Sequence, residues 1–491
     1  MSRTRSSSPA RGPVGQELVH RRAAGILLHL SSLPGPHGIG DLGPWAHRFA
    51  RWLERAGQGF WQMLPTGPIG AGDSPYSSTS AFAGEPLFVS LELLARDGLL
   101  PRSALQAPAR LGRGATRYDE ARAFKQPRLL AAFLEFVEGG GERGAPYRAF
   151  VARSKAWLED WCRFAAEREG GAPEFHAFVQ FAFDAQWREL RAAADARGVR
   201  LIGDVPIFVA LDSADVEANP GLFRLRRDGS PEVLTGVPPD NFSKTGQLWG
   251  HPHYRWPAHR AQKFRWWVDR FRRAAELFDL VRIDHFIGFH NAYEVPGNAK
   301  TAERGVWRRT PGHELLTAVR DALGGLPLIA EDLGAVTPPV VALRDAFGLP
   351  GMRIVQNAFY GDRSSDRPCM HPRLAVTYPG THDNEVVRGW WRSVSADVRR
   401  RFRAYAGTSE SPAHAMRRIT MHSPANLAIV QLQDALALPP STRMNLPGTP
   451  RGNWTWRADS GMLSTSAAAA LRTLAVASER LPIPSAAPRR N

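Results

Sequence analysis

Three carboxylic acids stand at or just beyond the ends of short apolar runs, where a β-strand would stop and its last side chains would reach a common rim. LVRID ends at Asp284, PLIAED contains Glu331, and LAVTYPG is followed closely by Asp383. Two carboxyl groups with opposite protonation states on either side of one bond are the standard means of cleaving a glycosidic bond. The positions of the three acids therefore predict acid–base chemistry on a sugar.

Arg282 and Asp284 are two residues apart, so in a strand their side chains point to the same side. An arginine at that distance favours the ionised aspartate. An ionised aspartate in an apolar barrel mouth suits a covalent nucleophile or a stabiliser of positive charge. A buried ion pair that only holds a barrel together fits the motif equally well, and the pair alone leaves both alternatives open.

Glu331 lies on the same side of its run as Ile329, which places the carboxyl group in an apolar rim. Such a setting raises the pKa of a glutamate towards about 6–7 and suits it to donate a proton. The alternative, an N-cap for the following helix, fits Asp332 better than Glu331. Glu331 is therefore the candidate general acid.

His382 and Asp383 follow the third run after a Pro-Gly break. Together they form a donor–acceptor pair suited to gripping neighbouring hydroxyl groups of a sugar. An isolated His-Asp pair is weak evidence. Asp383 is, however, the third acid to follow the carboxyl end of a predicted strand, and barrel active sites gather at those ends.

Aromatic residues crowd the segments that Gly, Pro, Ser and Asp mark as loops. They are Tyr76, Phe242, Trp249, Tyr254, Trp454 and Trp456. Stacked rings beside Asn, Asp and His suit the apolar faces and hydroxyl edges of sugars, so these residues are predicted to line a groove rather than to pack the core. The sequence contains no HExxH, clustered Cys/His, EF-hand or GxxxxGK[ST] pattern, and we expect neither a metal nor an organic cofactor.

Short apolar runs alternate with helical segments along the chain. The predicted strands cover residues 24–30, 60–64, 200–209, 280–284, 327–332, 352–356 and 374–380, and residues 173–196 form a representative helix between them. Such alternation is typical of parallel βαβ units. Seven or eight units predict an α/β fold, a (β/α)8 TIM barrel with mostly helical insertions between its strands, with a doubly wound sheet as the alternative.

One catalytic barrel is expected over residues 21–480. Residues 1–20 are rich in Ser, Arg, Pro and Gly and predict a disordered basic arm, while 481–491 predict a flexible tail. A mostly helical insertion is expected at about 65–172. A second insertion at 210–256 contains Pro, Gly and aromatic residues without periodicity, which predicts a lid or a wall of a binding site.

The 491 residues carry a formal net charge of +16, which raises the question of a nucleic-acid partner. The excess is arginine spread through the chain rather than one block, so we expect no nucleic acid. No apolar run approaches the roughly 18–20 residues that span a bilayer, so no membrane partner is expected either. Cys162 and Cys369 match no disulfide or metal pattern, which fits a reducing, cytoplasmic setting. A monomer or a weak homo-oligomer is expected.

Eight motifs in a fixed order carry a resemblance to a known family. They are SSLPGPHGIGDLG, GDSPYSSTSAFAGEP, GDVPIFVALDSADV, GVPPDNFSKTGQLWG, VRIDHFIGF, IAEDLG, GTHDNE and RMNLPGTPRGNWTWR. From about residue 24 to 460 the chain resembles the amylomaltase family, also called 4-α-glucanotransferase or disproportionating enzyme (glycoside hydrolase family 77). The resemblance implies transfer of α-1,4-glucan segments between maltooligosaccharides.

The resemblance also implies roles for individual residues. Asp284 would be the nucleophile, Glu331 the general acid/base and Asp383 the stabiliser of the transition state, in a retaining double displacement. The substrate-binding residues implied by the same motifs are Arg282, His382, Tyr76, Ser74, Asp240, Trp249, Asp204 and Asn445. An α-1,4-glucan hydrolase with the same three carboxylates is the alternative, whereas a catalytically silent carbohydrate-binding protein disagrees with the intact acids.

This chain departs from the family pattern at several positions in or near the expected sugar groove. They are Ser77, Glu85, Asn241, His251 and Asn357. Asn241 stands where the family often has an aromatic residue, in the segment that resembles its lid over the acceptor site. Because transfer requires water to be kept off the intermediate, we expect a larger hydrolytic fraction or a shifted chain-length preference.

Replacing Asn241 by tyrosine restores an aromatic ring beside the acceptor and is expected to lower the hydrolytic fraction when maltotriose is disproportionated. The measurement compares free glucose with total reducing ends over time. A ratio that Asn241→Tyr leaves unchanged would rule out the asparagine as the cause of any excess hydrolysis.

Overall fold

Twelve strands lie in the part of the chain that this computed structural model describes, residues 16–239, 243–361, 364–449 and 451–482. They are β1 (Ala23–Leu27), β2 (Phe60–Gln62), β3 (Arg200–Pro206), β4 (Val233–Val237), β5 (Gln247–Pro252), β6 (Leu280–Asp284), β7 (Asn291–Pro296), β8 (Val306–Arg309), β9 (Leu328–Ala330), β10 (Gly351–Ile354), β11 (Ala375–Tyr378) and β12 (Leu427–Gln431). Eight of them close into a parallel barrel in the order β1-β12-β11-β10-β9-β6-β3-β2. The predicted (β/α)8 barrel is confirmed, and its closure through β1 and β12 excludes the doubly wound sheet.

All seven predicted strands are present, and most are shorter than predicted. The run 280–284 forms β6 in full, whereas 200–209 and 327–332 lose their last residues to loops. The eighth barrel strand, β12, is missing from the prediction. Its sequence LAIVQ runs directly into the short helix LQDA, so the apolar run shows neither a clear strand length nor a break.

Sixteen α-helices lie among the same described residues. They are α1 (Pro44–Arg55), α2 (Leu91–Arg96), α3 (Tyr118–Glu138), α4 (Ala145–Arg153), α5 (Leu158–Glu169), α6 (Pro173–Asp195), α7 (Ala214–Ala218), α8 (Trp256–Ala261), α9 (Arg265–Leu277), α10 (Gly312–Leu323), α11 (Pro338–Ala346), α12 (Val387–Ser393), α13 (Ala396–Ala406), α14 (Pro412–Met421), α15 (Leu432–Ala435) and α16 (Thr465–Ala477). None of these helices is long and apolar enough to cross a membrane. Helices α2 to α5 occupy the long connection between β2 and β3.

Helix α6 shows why such segments are helical. Its large buried residues recur at helical spacing: Phe175, Phe178, Val179, Phe183, Trp187 and Leu190. This spacing gives one continuous apolar face. The indole N–H of Trp187 donates to the carbonyl of Leu277 at 2.8 Å, so the helix is fixed against the end of α9, which leads directly into β6.

The segments that follow β3 and β6 build a second, antiparallel sheet in the order β5-β4-β7-β8. Thr235 of β4 pairs with Glu294 of β7. No strand is predicted here from sequence, because Gly, Pro and charged residues interrupt the apolar alternation. Trp249 of β5 contacts His285, the residue after β6, so this sheet lies at the rim that carries Asp284.

The N-terminal arm ends earlier than expected. Gln16–His20 form a short 3₁₀ helix whose Val19 is buried and packs into the barrel cluster. The expectation of disorder over residues 1–20 is therefore wrong for Gln16–His20, because Val19 buries its apolar side chain. Residues 1–15 lie outside the described part, as do 483–491 of the expected tail, whereas Leu481 packs beside Ala475.

Apolar side chains fill the barrel. They include Leu27, Phe60, Ile202, Leu280, Ile329, Met352, Val376 and Leu427. Among them lie two charged residues, Arg282 on β6 and Asp204 on β3, each 3% exposed. A buried charge is costly unless it is paired and hydrogen-bonded. These two residues therefore indicate a candidate site at the adjacent rim.

Candidate active site

Asp284, the last residue of β6, is held by the arginine two positions before it. One guanidinium nitrogen of Arg282 lies 2.9 Å from Oδ1 of Asp284, and the other donates to both carboxylate oxygens of Asp204 at 2.8 and 2.7 Å. The side chains of Arg282 and Asp204 are almost fully buried, whereas that of Asp284 is 31% exposed. The predicted same-side pair is confirmed, and it leaves the paired Asp284 carboxyl group within reach of a ligand.

Glu331 follows β9, the neighbour of β6 in the barrel, and both of its carboxyl oxygens accept backbone hydrogen bonds. The N–H of His285 donates to Oε2 at 2.6 Å, and the N–H of Leu333 donates to Oε1 at 3.1 Å. Burial raises the pKa of Glu331 to about 8; Arg282 opposes this shift and the charge of Asp284 adds to it. Burial therefore favours the protonated form of Glu331, in the direction predicted from its apolar rim.

Asp332 is not the helix cap that the sequence favours. Its Oδ1 accepts the N–H of Met352 at 2.7 Å, and Arg344 pairs with its other oxygen. The next helix, α11, begins at Pro338 after Thr337, too far along the chain for Asp332 to cap it. The carboxylate instead ties β10 and α11 to the end of β9, which stabilises the backbone that carries Glu331.

Asp383, beyond the end of β11, is positioned by a second loop. The side-chain amide of Asn445 donates to its Oδ1 at 2.6 Å, and Arg443 donates to its carbonyl at 2.7 Å. Nε2 of His382 lies 3.4 Å from Oδ2. The Asp383 side chain remains 44% exposed, so its carboxylate is oriented by neighbours while still open to a ligand.

Tyr76 connects the Arg282–Asp204 pair with the His382–Asp383 pair. Its hydroxyl donates to Oδ2 of Asp204 at 2.7 Å, and its ring stacks on His382 with 5.3 Å between ring centroids. Ser74 accepts the N–H of Tyr76 at 3.3 Å, which fixes the turn that presents the ring. Trp454 closes the same cluster, 5.8 Å from Tyr76 and 5.9 Å from His382.

Trp249 lies on β5 and reaches the catalytic rim from the second sheet. Its ring meets that of His285 edge to face, at 4.8 Å between centroids and 83° between planes. His285 thus contacts both residues: its ring meets Trp249, and its backbone N–H donates to Glu331. Asp240, a predicted substrate-binding residue, and the neighbouring Asn241 and Phe242 lie outside the described residues.

Tyr254 is not a groove residue, contrary to the prediction. It is 2% exposed, and its hydroxyl donates to the carbonyl of Ile207 at 2.7 Å. Its ring packs among Phe223, Trp266 and Trp267. The surrounding Gly and Pro residues mark a loop correctly, but the loop folds inward and buries the tyrosine.

The departures from the family pattern occupy different settings. Glu85 is buried and accepts the N–H groups of Ile69 and Leu87 at 2.6 and 2.9 Å, and burial raises its pKa to about 7. It therefore shapes the loop that carries Tyr76 rather than facing solvent. Burial lowers the pKa of His251 to about 4, so that ring is neutral. Asn357 is exposed.

Two functional candidates escape the sequence prediction. His285 supports Glu331 through its backbone, and Arg443 supports Asp383 and donates to the carbonyl of Asn445 at 2.7 Å. Both lie inside motifs already singled out, VRIDHFIGF and RMNLPGTPRGNWTWR. Membership of these motifs is the sequence feature that could have identified them. Their contacts join distant segments and leave no local pattern.

His37, Asp41 and Glu92 form a cluster with metal-like spacing away from these acids, their ligand atoms all within 4.8 Å of one another. The buried ammonium of Lys125 donates to Oδ2 of Asp41 and to the carbonyl of Leu87, both at 2.7 Å. The chain itself therefore supplies the positive charge that these acids require. The expectation of no metal stays a prediction.

Known proteins share this architecture. The chain matches the family described as 4-alpha-glucanotransferase over residues 28–173 and 166–463. It is similar to the 4-alpha-glucanotransferase of Thermus thermophilus, with 43% identity over 503 residues, 94% of this chain and 99% of that protein. That of Synechocystis sp. is 42% identical over 478 residues, 90% of this chain and 94% of that protein. The amylomaltase from Streptococcus agalactiae, solved in complex with acarbose, superimposes with a TM-score of 0.90 at 33% identity, covering 94% of this chain and 100% of that one.

Glu331→Gln is expected to stabilise the protein progressively as pH rises. The pKa of Glu331 in the folded chain lies above its ordinary value, so the stability it contributes is full in acid and is lost as pH rises through about 8. Glutamine stays neutral throughout. In urea unfolding, the free energy of unfolding of Glu331→Gln should rise relative to that of wild type between about pH 5 and about pH 9. The exposed control Glu303→Gln should show no such trend. Parallel pH profiles for Glu331→Gln and wild type would contradict the assigned protonation.

Proposed function

We propose, since this chain belongs to the 4-alpha-glucanotransferase family, that it transfers α-1,4-glucan segments between maltooligosaccharides by a retaining double displacement. One observation carries the mechanism. Asp284 pairs with the guanidinium of Arg282 at 2.9 Å, while burial raises the pKa of the neighbouring Glu331 to about 8. Adjacent acids in opposite protonation states are what a retaining glycosidase or transglycosidase requires.

In the first step, Glu331 donates its proton to the glycosidic oxygen as the bond from that oxygen to the anomeric carbon breaks. The Asp284 carboxylate attacks the same carbon from the opposite face and forms a glycosyl ester. The leaving segment departs with a new 4-hydroxyl group. Glu331 is left ionised, next to the guanidinium of Arg282, which lowers the cost of that charge.

In the second step, the 4-hydroxyl of an incoming glucan attacks the anomeric carbon of the ester. Glu331 takes the hydroxyl proton, and the Asp284 carboxylate leaves. Two inversions at one carbon give net retention, and both acids return to their starting states. Water in place of the incoming sugar gives hydrolysis by the same route.

Asp383 is proposed to stabilise the positive charge that develops on the sugar ring between these states. Asn445 and Arg443 hold its carboxylate and its backbone in place, so little reorganisation is needed when the charge appears. Asn445, predicted as substrate-binding, therefore also has a positioning role. Tyr76 and His382 provide a stacked surface beside it.

The acceptor side is proposed to lie against the second sheet, with Trp249 as its aromatic wall. The hydrolase with the same three acids is the less favoured alternative, because the curated relatives are named transferases and match nearly the full chain. Chain-length preference and the transfer-to-hydrolysis ratio are proposed to depend on this wall and on the Tyr76 loop that Glu85 shapes.

The proposed partners are α-1,4-glucans and maltooligosaccharides, with no nucleic acid and no membrane. Residues 21–480 are proposed as one catalytic unit that acts as a monomer or a weak homo-oligomer. Cys162 and Cys369 are both free, which supports a reducing, cytoplasmic setting. The chemistry proposed above uses the chain's own acids and no cofactor.

Incubation with maltotriose is expected to yield glucose and a ladder of longer oligomers, resolved by size. Asp284→Asn removes the attacking carboxylate and should lower the rate of both product classes by about 10⁴-fold or more. The matched control is Asp212→Asn, which changes an aspartate whose side chain is 72% exposed and should leave the ladder intact.

Three results would contradict this function in different ways. Glucose and maltose without longer chains would identify a hydrolase. A ladder that persists in Asp284→Asn would remove the aspartate from the nucleophile's role. Inverted anomeric configuration in the first products would exclude the double displacement.

A further inference from the structure

His285, which directly follows Asp284, has a backbone conformation that histidine rarely adopts. Its φ is +54° and its ψ is +51°, in the left-handed region. Non-glycine residues held there are strained, and such strain persists only where the surrounding structure enforces it, often at functional sites. The strain here adjoins the proposed nucleophile.

The left-handed turn directs two successive N–H groups at Glu331. His285 donates to the carboxyl Oε2 at 2.6 Å, and Phe286 donates to the Glu331 carbonyl at 3.1 Å. The N–H of Glu331 in turn donates to the carbonyl of Ile283 at 3.1 Å. An extended residue at 285 would continue along β6 and would not present this pair of donors.

The imidazole of His285 makes contacts separate from those of its backbone and packs against Trp249 of the second sheet. Its ring meets Trp249 edge to face at 4.8 Å and lies 6.5 Å from Phe208. Its Nε2 is buried and finds no hydrogen-bond partner among the described residues. A buried ring nitrogen without a hydrogen bond is unfavourable. The ring is therefore held in this position by its aromatic contacts rather than by hydrogen bonding.

We propose that His285 is a positioning residue with two separable parts: its backbone N–H orients the acid/base Glu331, and its imidazole seats Trp249 so that the acceptor side stays closed to water. The inference rests on the proposed function, since it takes Glu331 as the proton donor. It implies that one residue links proton transfer to the balance between transfer and hydrolysis.

Several other groups influence the protonation of Glu331 and stay constant in the test. Arg282 and Asp284 face it from β6, and Asp332 adjoins it on its own segment. Asp204 and Tyr76 interact in turn with Arg282. Because variants at His285 leave all five unchanged, a shift in the pH profile reports on the backbone hydrogen bond.

The test uses substitutions that separate backbone from ring. Glycine and asparagine tolerate the left-handed region, whereas valine does not. His285→Gly and His285→Asn should keep the alkaline limb of the pH–rate profile at its wild-type position but raise the hydrolysed fraction of maltotriose roughly two- to tenfold, from the lost edge-to-face contact. His285→Val should also move the alkaline limb up by about one pH unit, because Glu331 loses a hydrogen bond that favours its ionised form.

Controls make each outcome decisive. Ala437→Gly changes another positive-φ residue (φ +53°), packed in the separate cluster around Trp390, and should match wild type in both readouts. If His285→Val does not fold, His285→Ala, which also disfavours the left-handed region, replaces it. Wild-type hydrolysed fractions in the Gly and Asn variants overturn the role of the ring, and an unmoved alkaline limb in the Val or Ala variant overturns that of the backbone.

The proposed function is checked separately with Glu331→Gln. An alkaline limb that survives this substitution shows that Glu331 is not the proton donor, and the proposed function then fails. Loss of activity in Glu331→Gln, together with wild-type behaviour in the His285 variants, contradicts the positioning role alone.

Discussion

The proposed chemistry of this barrel depends on one buried cation, the guanidinium of Arg282, which is 3% exposed. Such a charge is stable inside a protein only with charged partners and satisfied hydrogen bonds. Asp204 and Asp284 supply both, and the Tyr76 hydroxyl donates a further hydrogen bond to Asp204. Arg282 thereby pairs with Asp284 at the rim, while burial and the charge of Asp284 raise the pKa of Glu331 against the opposing effect of Arg282.

The fold places the three acids on the barrel and the proposed acceptor wall on a separate sheet. The proposed catalytic acids lie at the end of β6 and after β9 and β11, whose strands are paired on both sides in the closed barrel. The acceptor wall comes from a different sheet, and its Trp249 touches the acid region through the ring of His285. On the proposed mechanism, changes in this wall would alter which molecule attacks the intermediate without moving the acids.

The sequence predicts the parts of this site that local periodicity determines. Alternation along β6 suffices to place Arg282 beside Asp284, since the period of two is a property of the strand itself. The partners across the barrel are not local: Asp204 lies 78 residues from Arg282, and Asn445 lies 62 residues from Asp383. Such pairs become visible from sequence only through family motifs. The buried Tyr254 is missed for the same reason, because the inward packing of its loop depends on distant segments. β12 is missed for a local reason, since its apolar run continues into α15 without a break.

Infrared difference spectroscopy of the carboxyl groups at neutral pH tests the central claim most directly. Subtracting the spectrum of Glu331→Gln from that of wild type should reveal one protonated carboxyl band, and the Asp284→Asn difference should show loss of an ionised carboxylate instead. This result would establish opposite protonation in the two neighbouring acids. A protonated band that disappears with Asp284→Asn, or no such band in either difference, would contradict the account.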